Sequence, residues 1–149
     1  MVSSYNHSIH DDPLVRAYLA LAMGVTRDKF YSDILIEGLN DENRESRLAA
    51  VQAVGLIGAK NAGSRLKEIV ENSDFSNERL AATISLGLIG DAGSIPMLKE
   101  LLEDEEPNIQ WDAAVALAKM GDASGAFIIE NLMDRQYLNA FPQIGRAHV

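Results

Sequence analysis

The sequence predicts an all-α solenoid, an α-α superhelix of about four stacked helical hairpins. Three observations predict it. The blocks RAYLALAMGVTRD, RLAAVQAVGLIGA, RLAATISLGLIGD and QWDAAVALAKMGD begin at Arg16, Arg47, Arg79 and Gln110, which are 31, 32 and 31 residues apart. Each block carries apolar residues at helical spacing and is followed by a second apolar segment of similar length. Small residues crowd the first segments: Ala49, Ala50, Ala53; Ala81, Ala82; Ala113, Ala114, Ala118. Alanine there lets neighbouring helices approach closely, as stacked hairpins require. A period of this length means repeated supersecondary units that bury a ribbon of core rather than a ball.

The third repeat shows the plan. Ser76 or Asn77 offers an N-cap for a helix through ERLAATISLGLI. Leu80, Ile84 and Leu88, with Ala81, Leu86 and Ile89, give that helix its apolar spacing. Gly90 follows the last periodic residue, where a left-handed cap favours glycine. Asp91 and Ser94 then offer caps for a second helix, with Pro96 in its first turn. Leu98, Leu101 and Leu102 form its apolar face, and it ends before Pro107. Gly58 and Gly121 take the position of Gly90 in the second and fourth repeats, and Arg27 takes it in the first. The other second helices present Ile34, Leu35 and Leu39; Leu66, Ile69 and Val70; Ile128, Ile129, Leu132 and Met133. Gly55 and Gly87 fall inside first helices, where glycine costs about 1 kcal/mol relative to alanine. Both are expected to be points of close contact.

The repeats are expected at about 12–42, 43–74, 75–106 and 107–136, within a solenoid over 12–138. Residues 1–11 read as a polar tail and 137–149 as a C-terminal cap or a truncated extension. Tyr137, Leu138, Phe141 and Ile144 are the apolar residues able to fold back as such a cap, the alternative being a fragment of a longer protein.

Composition narrows the function. The chain has 149 residues, 47% of them apolar, and a formal net charge of -9 from 22 acids and 13 bases. An excess of acid opposes binding to nucleic acid and anionic membranes, and no basic cluster offsets it. No apolar run is long enough for a membrane span, and MVSSYNHSIHDDP lacks the features of a secretory signal. The absence of cysteine removes disulfides, thiol nucleophiles and thiolate metal sites, and fits a cytoplasmic protein.

The repeats resemble the HEAT-repeat family, in particular the short HEAT-like repeats of phycobilisome lyases. Arg79, Ala81, Ala82, Leu86, Gly87, Ile89, Gly90, Asp91, Leu98, Leu101, Leu102 and Asp104 carry the resemblance, which spans about residues 12–138. Asp41–Arg47 keeps the family's six-residue spacing from Asp to Arg, Asp104 is paired with Gln110, and Asp74 lies five before Arg79. QWDAAVALAKMGDASG and the text after it are similar to the last repeat of bacterial HEAT proteins of unknown role that run on further. The resemblance implies a protein-binding scaffold and places the second helices on the concave surface.

On that surface the repeats align Glu37, Glu68, Glu100 and Asn131, and three residues on Asn40, Glu71, Glu103 and Asp134. Positions three apart share a helix face, so stacking is expected to draw an acidic stripe that cradles a basic protein surface. The alternative is an ordinary solvated face. Ile34, Arg65, Met97 and Ile128 form a neighbouring ladder, either a groove floor or part of the core. Arg16, Arg47 and Arg79 are expected to pair with acids of the preceding turn or neighbouring repeat and fix the stack, since a catalytic group is needed once, not in every repeat. Trp111 is expected to pack within the stack rather than anchor an interface.

No catalytic, metal or cofactor constellation stands out. Gly87, Gly90 and Gly93 lack the lysine and preceding strand of a phosphate loop. His7 and His10 share a tail, His148 stands alone, and the paired His-Glu motifs of the iron-binding HEAT hydroxylases do not occur. The basic concave face of the HEAT-like DNA glycosylases is missing too. The expected function is a non-enzymatic scaffold that binds a protein along its groove, without cofactor, nucleic acid or membrane. The alternatives are a lyase or chaperone-like factor for tetrapyrrole-bearing proteins and a self-assembly module.

Overall fold

A computed structural model describes residues 10–140, without the side chains of residues 136–138. Of the expected cap residues, Phe141 and Ile144, with His7 and His148, therefore lie outside what is described, as do the side chains of Tyr137 and Leu138. The chain is an all-α solenoid, with no strand among the described residues. Its first helices are α1 (Pro13–Thr26), α3 (Arg44–Ile57), α5 (Ser76–Ile89) and α7 (Pro107–Lys119); its second helices are α2 (Ser32–Gly38), α4 (Gly63–Asn72), α6 (Ile95–Leu101) and α8 (Ala126–Ala140).

The first helices stack directly on one another, α1 on α3 on α5 on α7. Each second helix packs chiefly on the first helix of the following repeat: α2 on α3, α4 on α5 and α6 on α7. α8 packs on α7. That arrangement explains one departure from expectation. Met133 is 63% exposed, not part of an apolar contact, because α8 has no following first helix to cover it among the described residues.

The glycine caps behave as their position demands. Gly58, Gly90 and Gly121 take φ of 75°, 73° and 80°, in the left-handed region that glycine enters without steric cost. Arg27 adopts φ 56° at the same register. After the cap, the first three repeats insert a 3-10 turn (Lys29–Tyr31, Lys60–Ala62, Ala92–Ser94) that the apolar pattern did not predict. Asp28 and Asp91 cap two of these turns by accepting from Phe30 N and Gly93 N. Pro96 sits in the first turn of α6 as expected. α5 is not capped by Ser76 or Asn77: its N-cap is Phe75, without a side-chain hydrogen bond. Phe75 instead lies under the Arg44 guanidinium, 4.3 Å from its ring centroid, while the Ser76 hydroxyl donates to Glu106.

The core is one continuous ribbon of small and branched residues running the length of the stack, including Leu35, Val54, Leu66, Leu86, Leu98 and Leu117. Gly55 and Gly87 are the close-contact points the sequence suggests. A Cβ on Gly55 would meet Ser85 at 2.4 Å, and one on Gly87 would meet Ala116 at 2.6 Å. Gly24 faces Ala53 in the same way at 2.9 Å, one repeat earlier. At the corresponding position α7 carries Ala118, which is exposed.

Candidate functional site

Three surfaces come out of this stacking: a buried ladder of charge between repeats, an acidic face on the second helices, and an apolar groove on the first helices.

Arg16, Arg47 and Arg79 are all engaged in ion pairs within the stack. Arg16 donates from Nε and Nη2 to the two carboxylate oxygens of Asp41, at 2.8 and 3.1 Å, and from Nη1 to the His10 and Asp11 carbonyls. Asp41 also accepts from the Ser46 hydroxyl at 2.7 Å and from Asn43 N. Arg47 reaches the Glu78 carboxylate through Nε and Nη2. Arg79 donates to Asp104 at 2.8 Å, to Glu106 and to the Val70 carbonyl. Arg47 thus pairs with an acid of the repeat that follows, whereas Arg16 and Arg79 pair with acids at the C-terminal end of their own repeats, next to the following first helix. Such forked, charge-assisted bonds fix orientation as well as distance.

The details differ from the sequence pattern. Arg47 binds the backbone carbonyl of Asp41 at 2.9 Å, not its carboxylate, which belongs to Arg16. Gln110 donates to the Asp104 carbonyl in the same register, so the six-residue spacing marks a side chain that caps a backbone group. Asp74 has no part in this ladder. Its role falls to Ser73 and Glu78, which trade the places of acid and hydroxyl: Ser46 donates to Asp41, and Ser73 donates to Glu78 at 3.1 Å. Glu78, buried at 2% exposure, is the residue that the sequence reading missed. Aligning Asp41 with Ser73 and Ser46 with Glu78 contains the signal.

Burial raises the carboxyl pKa of Asp41, Glu78 and Asp104, but the hydrogen bonds from Arg16, Arg47 and Arg79, from Ser46 and Ser73 and from backbone N–H groups, together with the arginine charges, outweigh it, so all three lie below their ordinary values. Glu78 and Asp104 in turn raise Arg47 and Arg79, mainly by hydrogen bonding. Asp112 is the opposite case. Half-buried on α7, at the position that carries Ala49 and Ala81 in the preceding repeats, it is pushed up by burial alone.

The candidate groove acids are all exposed: Glu37, Glu68 and Glu100 with Glu71, Glu103 and Asp134. They are not a purely acidic surface. Arg65 donates to Glu68 at 3.1 Å and to Asn40 of the preceding repeat at 3.0 Å. Lys67 and Lys99 turn toward Asp91 and Asp122 of the following repeat, at 4.0 and 3.4 Å, which engages both with acids already on the stack. The apolar ladder beside them is mostly core: Ile128 is buried, and Ile34 and Met97 are half-buried and packed against it.

The other surface lies on the first helices. Leu21, Leu48, Gln52, Leu56, Leu80, Ile84 and Leu88 line an apolar groove of about 450 Å³. A separate hollow of about 490 Å³ at the last repeat is lined by Gln110, Trp111, Phe127, Asn131 and Arg135 among others, with Trp111 half-buried. Among the described residues, no group of three or more His, Asp or Glu is placed to hold a metal, and no helix is long and apolar enough to cross a membrane.

No curated protein matches the chain. A family model for HEAT repeats matches residues 7–87 and 64–137, two overlapping stretches that together run from residue 7 to residue 137. Matched over most of its length and built from stacked helical repeats joined by buried ion pairs, the chain belongs to the HEAT-repeat family.

Proposed function

We propose that the chain is a non-enzymatic scaffold that holds a protein partner against its second-helix face through that partner's basic surface. HEAT repeats generally serve protein-protein interaction, which fits a rigid stack offering extended area without a globular core. The observation that carries the finer reading is the exposure, repeat after repeat, of Glu37, Glu68, Glu71, Glu100 and Asp134 on the second helices, with Glu103 exposed in the turn just after α6. Two lysines of that set are engaged with acids of the next repeat, so the carboxylates dominate what a partner meets. Attraction by such a face speeds encounter and selects against acidic partners.

The tetrapyrrole alternative gains no support. The apolar groove carries no Arg, Lys or His in its lining to meet a propionate. A pull-down from source lysate, comparing wild type with a Glu68→Lys, Glu100→Lys, Glu103→Lys variant, tests the scaffold reading. A partner retained by wild type and lost from the folded variant is the expected result. The same partners on both baits would move the docking site off this face.

A further inference from the structure

The first helices present a surface of a different kind. In α3, Ala50, Val54 and Ile57 point into the core, and Glu45, Leu48, Gln52 and Leu56 lie on the opposite side of the helix. The equivalent residues are Asn77, Leu80, Ile84 and Leu88 in α5, Asn108, Trp111, Val115 and Lys119 in α7, and Leu14, Ala17, Leu21 and Val25 in α1. Charge is almost absent from them: among these positions only Glu45 and Lys119 are charged. Ile84, Leu88 and Val115 are each about two-fifths exposed, and Val25 is 68% exposed. Ala17 is buried and Leu21, Leu48, Leu56, Leu80 and Trp111 are half-buried, so the exposed side chains rise from a partly covered apolar floor. An apolar face of this kind marks an interaction surface.

We infer that this face binds a second copy of the same chain, pairing first-helix layer against first-helix layer. Two arguments favour that occupant. The first is area. Three of the helices have 14 residues and the fourth 13. At the α-helical rise each is about 20 Å long. Four helices set side by side at about 9 Å give a footprint of roughly 700 Å². That is close to the roughly 800 Å² per partner of a standard-sized stable interface. The second is charge. Copies carrying a net charge of -9 repel each other, and the exposed groove acids sit on the second helices. The first-helix face is the approach that keeps them apart. Each dimer then turns two acidic faces outward, and a partner with two basic sites gains by avidity. The inference stands independently of which protein the acidic face holds.

Sedimentation equilibrium over a concentration series tests it. Wild type is expected at twice the chain mass, with dimerisation tightening as salt screens the repulsion. Ile84→Glu/Val115→Glu places like charges in the contact and is expected to raise the dimer dissociation constant at least about tenfold, with a cooperative thermal melt retained. Gln52→Glu, at a site already polar and exposed, is expected to shift it in the same direction without touching the core. Glu68→Lys/Glu100→Lys is expected to leave the dimer intact. A wild type of single-chain mass at all concentrations overturns the inference, whether or not another protein occupies the face. So does a dimer unaffected by the first-helix variants, or one lost in the second-helix variant.

Discussion

At the scale of the residue, the joints between repeats are ion pairs that orient helices. Asp41 illustrates the energetics. Its carboxylate is fully buried yet accepts from Arg16, Ser46 and Asn43 N, so every oxygen is used. Removing one member of a buried pair leaves the other uncompensated, at a cost of about 3–5 kcal/mol. Asp41→Ala is expected to lose that much stability in chemical denaturation, whereas Glu68→Ala, at an exposed pair, is expected to change it by no more than about 0.5 kcal/mol. Equal effects would contradict the distinction between ladder and surface. The folded-state pKa values of Asp41, Glu78 and Asp104 are lowered, so their contribution is complete above the ordinary carboxylate range, about pH 4–4.5. It is lost as pH falls through the folded values, and the Asp41→Ala deficit is expected to shrink there. That the arginines pair with acids was expected from their repetition. Their partners were not, because the acid sits in a different place in the third repeat: Glu78 reads as one more helix-former in SNERL until Ser46 is aligned with it and Asp41 with Ser73, and its burial makes the exchange plain.

At the scale of the element, glycines and alanines set how near the first helices come. Gly87→Ala is the informative change. In an exposed helix it gains about 1 kcal/mol of propensity. Here the added Cβ would lie 2.6 Å from the Ala116 Cβ and 2.9 Å from its Cα, so helices must part. Overpacking of this kind costs about 1–3 kcal/mol, and Gly87→Ala is expected to lower the thermal midpoint; a raised midpoint would show that α5 and α7 separate easily. Gly55 and Gly87 were legible because glycine inside a helix demands a reason. The 3-10 turns were not, since their three-residue segments carry no periodicity. Nor was the packing of each second helix on the following first helix, which depends on how the connections cross rather than on which residues are apolar.

At the scale of the whole molecule, the chain separates its chemistry between two layers. Acids are exposed along the second helices, and the outward side of the first helices is nearly uncharged. The acidic positions were legible once the repeats were aligned. The apolar groove was not, because helical periodicity alone cannot tell which of two stripes faces the core. In α5, Ala81, Leu86 and Ile89 are buried, while Ile84 and Leu88, in the same pattern, are 40% exposed. The account therefore rests most on electrostatic docking at the second helices. The measurement that tests it most directly is the affinity of the captured partner across a salt series, by calorimetry, for wild type and the triple charge-reversal variant. The account predicts an affinity that falls steadily as salt rises in wild type and is largely lost in the variant at low salt. An affinity indifferent to both salt and charge reversal would contradict it.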